Sequence, residues 1–324
     1  MLDSYHTELL DATEIALAVD YLKTGHVVSF PTETVYGLGA PVFSEGAIKK
    51  IFEVKGRPSD NPLIAHISDI EQVHDIAIDI PEDFYLLAEA FFPGPLTVIL
   101  PKHPNVPLLA SAGLSTIGVR MPKHPVALEL IRQLGEPIVA PSANISGRPS
   151  STSYQHVLDD FQGRIAAVLI SPPSSIGLES TVVSIIGDEP VVLRPGKITA
   201  EEISLVLKKK VRLASYDETH QGPILSPGMK YRHYAPKASV RLFFALPDLE
   251  RYLQTQPVLY RLLLCNEKVA ESSSVEIAPL SSNGLYAALR HADDLAVAEV
   301  LALCDRSIQK QHDLMNRLLK ASQG

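Results

Sequence analysis

Between His26 and Lys208 the chain keeps changing its hydrophobic period, and that alternation constrains the fold more than any other feature. Short apolar runs predict strands at 26–30, 63–67, 96–100, 116–120, 137–140, 165–170, 181–186 and 191–194. Amphipathic stretches at 45–54, 127–134 and 154–161 predict helices between several of them. A strand needs a sheet neighbour and a helical stripe needs a face to cover, so interleaving predicts an α/β domain. The successive runs 181–186 and 191–194 predict an antiparallel pair, making the sheet mixed. Asp11 with Glu14 is expected to cap a first helix ended by Gly25, and Thr199 with Glu202 a closing one near Lys208.

From about Val211 to Lys237 the pattern dissolves. A structureless stretch of that length is either a linker or a functional loop. Further runs at 240–246, 258–265 and 275–277 predict strands, and 285–302 and 307–319 predict helices. The expected organisation is a larger α/β domain at 1–210, a linker or functional loop at 211–238, and a smaller α/β domain at 239–324. A chain of 324 residues fits two domains.

Composition narrows the setting. No apolar run reaches the ~18 residues of a membrane span, and the polar, acidic start MLDSYHTELLDATE shows no signal-peptide pattern. The two cysteines, Cys265 and Cys304, form no CxxC and lie near no histidine cluster. A reduced, cytoplasmic protein without structural zinc is expected. The net charge of −8 argues against a broad basic surface for nucleic acid.

Against that acidic background the placement of arginine is informative. Of the six arginines in the first two hundred residues, Arg57, Arg148 and Arg194 precede proline directly, and Arg120 precedes it by two. Proline drives its predecessor out of the helical region, so these guanidinium groups leave stiff, extended chain. Several such groups suit a preorganised receptor for phosphate or carboxylate.

Five segments carry chemistry. Phe30-Pro-Thr-Glu-Thr-Val-Tyr-Gly-Leu-Gly-Ala40 follows a strand, where α/β sheets gather ligands, and reads as a loop whose glycines admit a ligand or as a hydrogen-bonded turn. Lys55-Gly-Arg-Pro-Ser-Asp-Asn-Pro62 puts two cations beside Asn61 and suits a triphosphate, or else a solvated helix end. Pro141-Ser-Ala-Asn-Ile-Ser-Gly-Arg-Pro-Ser150 offers small hydroxyls, an amide and Arg148 to a phosphate. Gly177-Leu-Glu-Ser-Thr-Val-Val183 and Leu193-Arg-Pro-Gly196 complete the set, while His66, inside an apolar strand, reads as a core histidine. The phosphate-loop and dinucleotide fingerprints are absent, as are a Ser/His/Asp pattern and metal-ligand spacing. What remains is positioning with charge neutralisation, the requirement of phosphoryl or nucleotidyl transfer.

Together, PTETVYGLGA (31–40), KGRPSDNPL (55–63), FPGPLT (92–97), GVRMPKHP (118–125), PSANISGRPS (141–150), ESTVV (179–183), LRPG (193–196) and SPGMKYRHYAP (226–236) resemble the YrdC-like threonylcarbamoyl-adenylate synthases in their long, two-domain form. The resemblance implies a catalytic domain with a twisted mixed sheet and flanking helices, plus a small Rossmann-like domain. It implies L-threonine, bicarbonate and ATP as substrates, with Mg2+ on the nucleotide, and a product passed to the machinery that forms N6-threonylcarbamoyladenosine in tRNA. By resemblance, Thr34, His66, Arg120, Ala140 and Ser180 surround threonine, with Arg120 on its carboxylate. Arg57, Asn61, Thr116, Ser142, Asn144, Arg148, Ser150 and Arg194 contact ATP, Lys55 and Arg57 serve the phosphates, and Tyr231 or Tyr234 covers the nucleotide. The competing readings are a hydrogenase-maturation carbamoyl transferase, whose additional zinc-finger segments are not visible here, and a non-enzymatic RNA-binding module, which the acidic charge disfavours.

Overall fold

The computed structural model describes residues 6–214, 234–257, 259–269 and 273–323. The chain divides into two compact units, Met1–Ser146 with Ser151–Lys230 and Gly147–Ser150 with Tyr231–Gly324. Among the described residues, no helix is long and apolar enough to cross a membrane.

In the larger unit the elements run β1 (Glu8–Leu10), α1 (Ile15–Lys23), β2 (Val28–Phe30), β3 (Gly37–Pro41), α2 (Glu45–Lys55), β4 (Ile64–His66), α3 (Val73–Ile76), α4 (Glu82–Phe91), β5 (Leu96–Pro101) and β6 (Thr116–Arg120). Then follow α5 (Pro125–Leu134), β7 (Ile138–Ala140), α6 (Tyr154–Phe161), β8 (Ala167–Leu169), β9 (Thr181–Ser184), β10 (Val191–Arg194), α7 (Ala200–Leu207) and β11 (Arg212–Leu213). The strands form one mixed sheet in the order β1-β8-β2-β3-β7-β4-β6-β5-β9-β10-β11. Pairs such as β4–β6 and β5–β9 are parallel, whereas β5–β6 and β9–β10 are antiparallel, as the direct succession of the last two requires.

Two large apolar clusters, with a small third one at Ile99, Val182 and Leu193, fill the unit. The larger joins Ile48, Ile51 and Phe52 of α2 with Phe84 of α4, Phe161 of α6 and Ile203 of α7. The other joins Leu22 of α1 with Leu130 and Ile131 of α5, over Val28, Ile138 and Leu169. Leu130 is fully buried, so its truncation to alanine would cost about 2–5 kcal/mol.

Local chemistry sets the boundaries. Ser44 accepts from the Ala47 N–H to open α2, and left-handed Gly56 closes it. Thr199 and Glu202 form the expected reciprocal box at α7. At the first helix the bonds differ from expectation. Asp11 Oδ1 accepts from the Thr13 N–H and Glu14 Oε2 from the Asp11 N–H, so the two residues close a turn ahead of α1, which starts at Ile15.

The segment 37–41 is a strand rather than a loop. Its glycines admit a neighbouring side chain: a Cβ at Gly37 would stand 2.8 Å from Phe30 Cζ, and one at Gly39 2.9 Å from Phe30 Cε1. Phe30 thus lies across β3, and its ring meets His66 edge-on with centroids 5.8 Å apart.

The smaller unit contains β12 (Ser239–Phe243), α8 (Leu246–Thr255), β13 (Arg261–Leu264), β14 (Val275–Ala278), α9 (Leu285–Asp294), β15 (Glu299–Leu303), α10 (Arg306–Gln309) and α11 (His312–Ser322). Its four strands are all parallel, in the order β12-β15-β13-β14. The expected helix 285–302 is therefore two elements, since α9 ends at Asp294 and β15 follows. An inner parallel strand buried on both faces is apolar throughout and imitates a helix end in sequence. Val300 to Leu303 are buried in this way. Similarly, the apolar run 240–246 stops at Phe243 because Leu246-Pro247 begins a helix. The stretch 307–319 is divided between α10 and α11.

Candidate active site

Strand register gathers many of the predicted residues at one end of the large sheet. Parallel pairing of β4 with β6 sets His66 level with Arg120, and antiparallel pairing of β4 with β7 sets Ile64 level with Ala140. Val98 of β5 faces Val119 of β6, so one further antiparallel step brings Thr97 level with Arg120. Leu96 pairs with Thr181, the residue after Ser180. Hydrogen bonds join these ends: Thr97 Oγ1 and Ser180 Oγ lie 2.8 Å apart, and Arg194 Nη2 donates to Ser180 Oγ at 3.2 Å. Gly196 permits this approach, since a Cβ there would stand 2.3 Å from the Thr181 nitrogen.

The charges at this end are buried. Arg120 and Glu33 are 4% and 6% exposed, with Nη2 2.7 Å from Glu33 Oε1. Among the described residues neither of those two atoms has a hydrogen-bond partner of proper alignment, so the contact is one of charge. Arg120 Nε donates to Gly94 O at 3.3 Å, and Glu33 Oε2 accepts the Lys123 N–H at 3.0 Å.

His66 Nδ1 lies 3.1 Å from Ile64 O. Burial first, and the Arg120 charge second, depress the His66 pKa to about 3 and keep its ring neutral. Thr32 Oγ1 and Thr34 Oγ1 are 2.9 Å apart. Because Thr32 gives its one hydroxyl proton to Val35 O at 2.6 Å, Thr34 is the donor between them.

A second group lies around the C-terminus of α2. Lys55, 2% exposed, donates through Nζ to Ser142 O at 2.6 Å and also to Asn144 O. Ser142 Oγ donates to Asn144 Oδ1 at 2.5 Å. Two residues beyond Lys55, Arg57 Nη2 donates to Asn61 O at 3.0 Å and to Pro62 O at 3.2 Å. Asn61 is buried, and its Oδ1 has no partner among the described residues. The two groups are tied through backbone: the Ala143 N–H donates to Tyr36 O at 2.7 Å, and the Tyr36 N–H to Ser151 O at 2.8 Å.

Thr116 begins β6, four residues before Arg120, which is about 13 Å along a strand. It lines an open hollow of about 460 Å³ with Lys102, Leu108 and Ser115. Arg148 and Ser150 sit in the short stretch grouped with the smaller unit. There, Arg290 Nε and Nη2 both donate to Pro149 O, at 3.1 and 2.8 Å. Tyr234 stacks on Tyr286 with centroids 5.4 Å apart, beneath the Arg317 guanidinium. Tyr231 and most of the 211–238 segment fall outside the described residues.

Glu33 and Thr97 were not among the residues expected at the site, although both stand inside quoted motifs. Neither the Glu33 contact with Arg120 nor the Thr97 contact with Ser180 can be read from spacing. Each joins residues more than eighty positions apart.

The chain is similar to known proteins along nearly its whole length. A threonylcarbamoyl-AMP synthase from Pyrococcus abyssi is 42% identical, over 97% of this chain and 96% of its own. One from Bacillus subtilis is 43% identical, over 96% of this chain and 93% of its own. The chain belongs to the threonylcarbamoyl-AMP synthase family. A family model described as telomere recombination matches residues 20–196, and one for the C-terminal domain of threonylcarbamoyl-AMP synthase matches 198–323. The crystal structure of P. abyssi Sua5 complexed with L-threonine superposes with a TM-score of 0.89 at 38% identity, covering 98% of both chains. Full-length HypF, at 22% identity and a TM-score of 0.50, covers 56% of this chain and 28% of its own and shares the fold alone.

Proposed function

We infer that this chain is a threonylcarbamoyl-AMP synthase using L-threonine, bicarbonate and ATP. The observation that carries the reading is the buried group Arg120, His66, Thr97, Ser180 and Arg194, in which Arg194 donates to the Ser180 hydroxyl and Arg120 stands level with Thr97 and His66 at one sheet end. The planar guanidinium fork matches an amino-acid carboxylate or a nucleotide phosphate.

The chemistry divides into two steps. The threonine amine and bicarbonate give a carbamate and water. A carbamate oxygen then attacks the α-phosphorus of ATP, and pyrophosphate leaves. Arg120 would hold the threonine carboxylate, with Thr34, neutral His66, Ser180 and the Ala140 backbone around the rest of the molecule. Arg57, Asn61, Ser142, Asn144 and Arg194 would face the nucleotide. Lys55, by holding the Ser142 and Asn144 carbonyls, would fix the shape of the phosphate-facing loop. Preorganised donors of this kind stabilise developing phosphoryl charge without reorganising. The product would pass to the enzyme that modifies tRNA.

Among the described residues no three acidic, His or Cys side chains group as a metal cage. Mg2+ would arrive on the triphosphate oxygens. The test is threonine-dependent pyrophosphate release from ATP in bicarbonate buffer. Folded protein that releases none with Mg2+ present would refute the reading.

A further inference from the structure

We propose that Glu33 is the subsite for the threonine α-ammonium group and accepts its proton before carboxylation. The inference rests on the function proposed above and concerns a residue to which that reading gives no role.

Glu33 Oε1 and Arg120 Nη2 are 2.7 Å apart and deeply buried, yet among the described residues neither makes an aligned hydrogen bond. Buried charged atoms with unused hydrogen-bonding capacity are costly, and a site that leaves them so is shaped for a ligand. An α-amino acid offers the matching pair, a carboxylate for the guanidinium and an ammonium for the carboxylate. When the substrate carboxylate takes Arg120, Glu33 Oε1 is left to accept from the ammonium group. The groups around it cannot replace it. His66 is held neutral by burial and by Arg120, and burial likewise lowers the His124 pKa, against an opposing pull from Glu33.

Glu33 is also anchored. Its Oε2 accepts the Lys123 N–H at 3.0 Å and its carbonyl accepts the Ile176 N–H at 2.8 Å. These bonds hold Oε2 and the backbone, leaving Oε1 to meet the substrate. In the step assigned to Glu33, one ammonium N–H bond breaks and an O–H bond forms at Oε1. The electron pair stays on nitrogen, and the neutral amine can attack the carboxyl-group donor.

The experiment compares L-threonine with its α-hydroxy analogue, 2,3-dihydroxybutanoate, which keeps the carboxylate and side chain but lacks the amine. Binding to the full chain is measured by calorimetry for wild type and Glu33→Gln. Wild type should prefer threonine by at least ~30-fold, the range expected when one partner of a buried charge pair is removed. Glu33→Gln should bind the two alike and lose most of its threonine-dependent pyrophosphate release. A merely structural Glu33 would weaken both ligands equally and keep the preference, which overturns the proposal. If Glu33→Gln does not fold, wild type still decides, because equal affinity for the two ligands refutes an ammonium subsite. If wild type releases no pyrophosphate yet prefers threonine, the proposed function fails and the ammonium subsite stands.

Discussion

Arg194 holds Ser180 at two points, donating from Nε to its carbonyl at 3.1 Å and from Nη2 to its hydroxyl at 3.2 Å. The sequence reading placed Ser180 with threonine and Arg194 with ATP, but here the two are one hydrogen-bonded unit. The planar fork of arginine makes both bonds at once, which a lysine ammonium on a flexible stem does not reproduce. Arg194→Lys should raise KM for threonine as well as for ATP and lower kcat/KM by about tenfold or more. Pyrophosphate release with each substrate varied in turn measures this; an effect on ATP alone would separate the two residues functionally.

Arg57 and Arg120 should differ in kinetics. Arg120 stands at the end of β6 beside His66 and Glu33, whereas Arg57 closes the loop after α2 onto Asn61 and Pro62. Arg120→Ala should mainly raise the threonine requirement, by roughly 30-fold or more. Arg57→Ala should instead impair ATP use and turnover. Matching kinetic profiles for the two variants would refute the division.

His66 gives stability a defined pH dependence. Its folded pKa is lowered to about 3 from 6.5, so between those values the unfolded chain binds a proton that the folded chain does not. The contribution is therefore complete above about pH 6.5 and declines as pH falls towards 3, with a slope of up to ~1.4 kcal/mol per pH unit. His66→Asn should remove up to one proton from the slope of unfolding free energy over that window. Urea melts at pH 4, 5, 6 and 7 test this, and parallel curves for the two proteins would exclude it.

Arg290 supports the stretch containing Arg148 and Ser150. Only 4% exposed, it directs two N–H groups at the Pro149 carbonyl. Arg290→Met keeps much of the side-chain volume but leaves that carbonyl without those donors, at a cost of about 1–3 kcal/mol. The denaturant midpoint should fall by a corresponding amount, and KM for ATP should rise more than KM for threonine. An unchanged ATP requirement with normal folding would show that this anchoring does not serve the nucleotide.

The sequence revealed the fold well where a run had one clear partner surface. β6, β10 and α6 occupy their expected bounds, because each has a length, period and flanking breaker that agree. It misled where two structures share one pattern. The end of the expected helix 285–302 is an inner parallel strand, and Gly37 to Ala40 looked like a loop because the ring that those glycines accommodate, Phe30, belongs to the neighbouring strand β2. The site was legible as residue types and motifs, since stiff Arg-Pro positions and hydroxyl-rich turns are local features.

By itself, the sequence determined the chemistry available to this protein: buried-capable arginines, small hydroxyls and a mixed α/β frame without a metal-binding pattern. Tertiary structure decided the partners. Sheet register brought Thr97 and Arg120 level, closed Arg194 onto Ser180, and set Glu33 against Arg120 across a long separation. Those pairings follow from strand order and burial, which depend on the whole sheet rather than on any one segment.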